Sequence, residues 1–178
     1  MLETNCEKYC IFRQSADWYG LSALSVLEVA VAPDLVSIPN SDPVLAGLSH
    51  LRSEFLPVVQ LPTLAHEPRT ENVGEQQLLV VDGGQGPWGL LVDHVAGLES
   101  LEVSPSHDMP IADDWAAAST GSATLNSRLI RVLDARRVYL LVERTLQHHW
   151  ESHAARPSAA RKSEIRNKSE IRMFRTQA

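Results

Sequence analysis

Apolar and polar positions along this chain fall into short runs with a period of two, separated by turn residues, and this pattern predicts a strand-rich fold. Tyr9–Phe12 is the first β-prone run, and the polar stretch Gln14–Asp17 turns it into a second strand beginning at Trp18-Tyr19-Gly20-Leu21. Ser22–Ser25 reads as another turn, and Val26–Val31 resumes as strand. Side chains alternate across a strand, so Leu27, Val29 and Val31 share one face and Val26 and Glu28 the other. The more apolar set is expected inside, with Val26 and Glu28 pointing away from the core.

Asp42-Pro43 carries the chemistry of a helix start, a capping carboxylate followed by a residue preset for the first turn. Val44, Leu45, Leu48 and Leu51 follow at helical spacing, which predicts a short internal helix. An apolar strand, Phe55–Leu61, comes next, and Pro57 places it at an edge or on a bulge because proline cannot donate to a ladder. Pro62–Glu75 is polar and predicted as loop. Gln77–Asp82 and Trp88–Val95 form the clearest strand pair, joined by Gly83-Gly84-Gln85-Gly86-Pro87, and Leu98–Val103 continues as strand. Ser104–Gly121 reads as a long loop with one helical turn at most, and Arg128–Leu133 as the last strand. A helix from Ala135, capped by Asp134, lines up Val138, Leu141, Val142, Leu146 and Trp150.

Composition adds where the charge lies. The 178 residues carry a net charge of −6. Residues 151–178 hold seven basic against three acidic side chains, a surplus of four that leaves the first 150 residues at −10. An acidic body is a poor match for phosphate backbones, so nucleic acid is not an expected partner. The six-residue repeat Lys162-Ser163-Glu164-Ile165-Arg166 and Lys168-Ser169-Glu170-Ile171-Arg172 does not keep its isoleucines on one helical face, and 147–178 is expected to be a helix end and a basic, solvated tail. The first twenty residues include Glu3, Glu7 and Lys8 and no apolar leader segment, and no run reaches membrane-spanning length. With two cysteines only, Cys6 and Cys10, reduced thiols and a cytoplasmic location are expected, without membrane insertion.

Candidate chemistry is sparse. Gly84-Gln85-Gly86-Pro87-Trp88-Gly89 matches G-x-G-x-x-G, but the chain continues as strand where a dinucleotide site needs a helix, so the glycines are assigned to a turn. His149 and His153 stand four apart, with His148 beside them, yet no further ligand accompanies them. Neither G-x-S-x-G nor a paired Cys–His or buried lysine nucleophile is evident, and Asp113-Asp114 reads as surface. No catalytic residue, cofactor or metal is assigned. The polar residues set on apolar strands, Glu28, Arg52 and Asp93-His94, suit the rim of a protein-binding groove.

The order of these segments resembles the CheW-like domain family. Tyr19-Gly20-Leu21 and Val26-Leu27-Glu28-Val29 are similar to the opening of that domain. Gly47-Leu48-Ser49-His50-Leu51-Arg52-Ser53, followed by the apolar Pro57-Val58-Val59 strand, is similar to its most diagnostic stretch. Gly89-Leu90-Leu91-Val92-Asp93-His94-Val95 and Leu129–Asp134 resemble two later strands. The resemblance implies an all-β architecture over 8–146, two SH3-like five-stranded barrels packed side by side around a shared apolar seam. It implies an adaptor coupling methyl-accepting chemoreceptors to a CheA-type histidine kinase, with Arg52 at the receptor contact and Val26 and Glu28 on the partner-binding surface. Ser53 stands where the family has glycine, His50 where it has asparagine and Gln60 where it has aspartate. Two alternatives remain, a CheW-like regulatory module for a non-chemotactic effector and a small metal-dependent enzyme built on the histidine cluster.

Overall fold

The computed structural model describes residues 7–51, 53–61, 75–105 and 117–154. Eleven strands are found among them, β1 (Lys8–Gln14), β2 (Asp17–Ser22), β3 (Val26–Val31), β4 (Leu45–Leu51), β5 (Glu54–Gln60), β6 (Gln77–Asp82), β7 (Pro87–Val92), β8 (His94–Ser100), β9 (Ser104–Pro105), β10 (Ser119–Leu125) and β11 (Arg128–Leu133), followed by helix α1 (Ala135–Ala154). They form a six-stranded sheet in the order β8-β1-β2-β11-β10-β9 and a five-stranded sheet in the order β3-β6-β7-β5-β4. The sixth strand of the first sheet is the two-residue β9. Most neighbours are antiparallel, with two parallel pairs, β2 with β11 and β5 with β7.

The strand sequences explain the two-sheet arrangement. Alternate residues of β1 fill different cores: Tyr9 and Ile11 pack with Leu101, Ile130 and Val132 inside the first barrel. Cys10 and Phe12 face the seam instead, where Phe12 stacks on Tyr19 with ring centroids 5.6 Å apart. In β6, Leu78 and Val80 fill the second barrel with Leu56, Val58 and Leu91, while Leu79 and Val81 reach the seam. Continuous apolar runs such as Leu78–Val81 are therefore strands buried on both sides rather than half-exposed ribbons. Val138, Leu141 and Val142 of α1 close the seam from its end, and Asp134 caps the helix by accepting from the Arg137 amide at 2.8 Å. Contacts divide the chain into two units, Met1–Leu146 and Gln147–Ala178. Trp150, in the second, is exposed.

Four expectations are corrected. The short internal helix is strand β4. Asp42 does bond the Val44 amide at 2.8 Å, and its carbonyl accepts from Leu45, but these close a turn that enters the strand. Gly47 is the reason the strand can form here. It sits at φ +153°, and a Cβ there would lie 2.7 Å from the Val36 carbonyl oxygen, with which β4 pairs through Leu48. Secondly, Pro57 does not mark an edge: β5 lies between β4 and β7, and its pairing with β7 starts one residue later, at Val58. Thirdly, Trp88–Val95 is not one strand, because the chain bends at Asp93 and passes from the second sheet into β8 of the first. Fourthly, Ser119–Leu125 is strand β10, seated between β9 and β11. Its small residues allow this: at Gly121 a Cβ would come 2.4 Å from the Ser104 carbonyl oxygen.

Candidate partner-binding surfaces

Strand β3 presents its residues opposite to expectation. Val26, Glu28 and Ala30 are half-buried, Val26 packing against the seam, whereas Leu27, Val29 and Val31 are 58%, 44% and 66% exposed. A bulge lies between Val26 and Glu28, where β3 pairs with Val81 and Val80 of β6. The seam and the second barrel are already filled from β6 and β7, so a small set suffices on the inner side of β3. The outcome is an aliphatic stripe on an edge strand. Among the described residues no strand pairs with its outer edge. Edges of this kind invite another chain unless they are blunted by charge or covered. The adjoining 3-10 turn Ala23–Ser25 extends the apolar surface through Leu24, 89% exposed.

The second surface is the β4–β5 turn, at the other end of the sheet order. Arg52 lies outside the described residues. Its neighbours are in place: Ser53 adopts φ +72°, the left-handed conformation that suits the family's glycine. Behind it His50 and Phe55 form a cross-strand aromatic pair, centroids 5.4 Å apart, with Phe55 73% exposed. Gln60 donates from Nε2 to the Pro43 carbonyl at 3.4 Å. Val26 and Glu28 on one edge strand and this turn on the other therefore belong to separate surfaces. Between the second sheet and α1, Leu45, Pro57, Val59, Trp88, Tyr139 and Val142 line an apolar pocket of about 180 Å³.

Asp93 is a structural residue rather than part of a rim. Its carboxylate accepts from the Ser15 amide at 2.7 Å and from Gln14 Nε2 at 3.3 Å, and its own amide donates to the Arg13 carbonyl at 3.2 Å. It thereby fastens the β1–β2 turn, where Ser15 has φ +55°, to the point at which the chain changes sheets. His94 is exposed beside it. The Gly83–Gly86 segment is the β6–β7 hairpin turn, with Asp82 accepting from the Gly84 amide at 2.8 Å. Cys10 is a free, buried thiol whose pKa is raised by that burial. Tyr9 is raised likewise, by burial first and then by its hydrogen bond to Glu7 at 3.0 Å. Among the described residues no group of three or more His, Cys, Asp or Glu side chains could hold a metal ion, and no helix is long and apolar enough to cross a membrane. Asp113, Asp114 and the basic repeat lie outside the described residues.

Sequence reasoning missed Leu27, Val29, Val31 and Phe55 as surface residues. The signal available was the alternation in β3, which defines two faces without saying which is covered.

The geometry agrees with what the chain is similar to. The chemotaxis protein CheW of Klebsiella aerogenes is 23% identical over 137 residues, which span 74% of this chain and 81% of that protein. The crystal structure of the scaffolding protein TtCheW from Thermoanaerobacter tengcongensis superposes with a TM-score of 0.65 at 22% identity, covering 71% of this chain and 88% of that one. The family model for the CheW-like domain matches residues 8–141, through both sheets and the start of α1. This chain belongs to the CheW-like domain family.

Proposed function

We propose that this chain is a cytoplasmic adaptor, with no chemistry of its own, that couples methyl-accepting chemoreceptors to a CheA-type histidine kinase. Family membership supports the pathway, and the observation that carries the adaptor reading is the exposed Leu27-Val29-Val31 stripe on the edge strand β3. Covering these three side chains contributes on the order of 1–2 kcal/mol each, since each is partly buried already. The stripe is the kinase contact, with Val26 and Glu28 shaping the strand from behind. Arg52 is the receptor contact, a guanidinium able to bond acceptors on a helical receptor tip. Two surfaces on separate edge strands let both partners bind at once, as coupling requires.

The test is titration calorimetry with the kinase's regulatory domain and, separately, with a receptor cytoplasmic fragment. Leu27→Asp combined with Val29→Asp should weaken kinase binding by more than tenfold and leave the receptor unaffected. Arg52→Ala should do the converse, costing about 2–4 kcal/mol, as hot-spot residues do. If the wild-type chain binds neither partner, the chemotactic reading fails. A regulatory module for another effector would then be sought, beginning with the departures His50, Ser53 and Gln60.

A further inference from the structure

The histidines near the end of α1 are not used in the function proposed above, yet the structure brings two of them together. His149 and His153, one helical turn apart, place their rings with centroids 4.3 Å apart and planes inclined by 44°. We propose that His149 and His153 form a binding site for a late first-row divalent cation, Zn²⁺, Ni²⁺ or Cu²⁺, with water completing its coordination.

Imidazole is the side-chain ligand these ions favour, with metal–nitrogen bonds of about 2.0–2.1 Å. Two nitrogens bound to one ion stand about 3 Å apart at that bond length, a separation that rings in contact reach by rotation about their own side-chain bonds. His149 is half-buried and His153 exposed, so the pair is open to an arriving ion from the His153 side. Glu151 accepts from Gln147 Nε2 at 3.1 Å, and Ser152 donates to the His148 carbonyl at 2.8 Å. His148, adjacent in sequence to His149, points about 100° away around the helix and cannot share the ion.

The experiment uses the full chain, titrated with zinc chloride by calorimetry and with copper(II) chloride by electron paramagnetic resonance, with circular dichroism confirming the fold of every variant. The expected result is one ion per chain, nitrogen hyperfine structure on copper, and a loss of affinity of about tenfold or more in His153→Ala. His148→Ala should bind like the wild type. The decisive variant combines His153→Ala with Ala154→His, which keeps the number of histidines but moves one off the shared face. It should bind as weakly as His153→Ala. Wild-type affinity in that variant, or no saturable binding by the wild-type chain, overturns the proposal.

Discussion

Replacing Asp93 by alanine removes the carboxylate that joins the β1–β2 turn to the crossing between sheets. The Ser15 amide loses its charge-assisted bond at 2.7 Å, a kind of contact worth about 1.5–3 kcal/mol. Gln14 is only 6% exposed and its Oε1 already has no partner, so losing the 3.3 Å bond from its Nε2 strands the other end of the same amide. That adds about 1 kcal/mol, giving about 2–4 kcal/mol in all. For a chain of this size each kcal/mol lowers Tm by about 2–4 °C, so a fall of about 5–15 °C is expected. Asp93→Asn, which keeps one carbonyl oxygen as acceptor, should lose about half as much. Urea unfolding of the two variants beside His94→Ala, an exposed neighbour, measures this. Asp93→Ala within 0.5 kcal/mol of His94→Ala would refute the reasoning, because the carboxylate would then be no more than a surface charge.

Two further outcomes follow from backbone geometry and from burial. Ser53 holds φ +72° without being glycine, so Ser53→Gly should raise stability by about 0.5–1 kcal/mol; a lower Tm in that variant would show that the turn stores no strain. The raised pKa values of Cys10 and Tyr9 mean that the folded chain keeps protons the unfolded chain releases above about pH 9–10. Their contribution to stability is therefore fully present below that range and is lost as pH rises through the folded values. Urea midpoints should hold level from pH 7 to about 8.5 and then decline, more shallowly in Cys10→Ala, and an identical slope in that variant would remove Cys10 from the account.

Much of the fold was legible because local and global signals coincide. β1, β2, β6 and β11 combine β-branched or aromatic residues with flanking turns, and the Asp134 cap fixes the start of α1. β4 was misread because Asp-Pro suits a type I turn as well as a helix N-terminus, and four apolar residues at helical spacing also fit a strand with a bulge at Gly47. β10 escaped because Ser119–Leu125 has almost no apolar periodicity. It is a strand by virtue of the neighbours it fits between, and smallness, not hydrophobicity, is what that place demands. The bend at Asp93 is set by tertiary hydrogen bonds from residues 78 and 79 positions away, which no local window contains. The covered face of β3 was assigned wrongly because strict alternation of residues defines two faces without saying which one the rest of the protein covers.

The parallel pairing of β2 with β11, in which Leu21 lies beside Leu133, has a consequence for synthesis. All five strands of the second sheet come from one unbroken stretch, whereas the first sheet joins the beginning of the domain to its end. On the ribosome the second barrel can close while β11, the second partner of β2, is still untranslated. At about 5–20 residues per second, β2 waits on the order of 5–20 s for β11 to emerge. During that interval Tyr19 and Leu21, destined for complete burial, have only β1 and the nascent second barrel to cover them. The chain is then most open to mispairing or to capture by a chaperone, and variants that weaken the β1–β2 hairpin should reduce the yield of folded protein in cells more than their equilibrium stability would suggest.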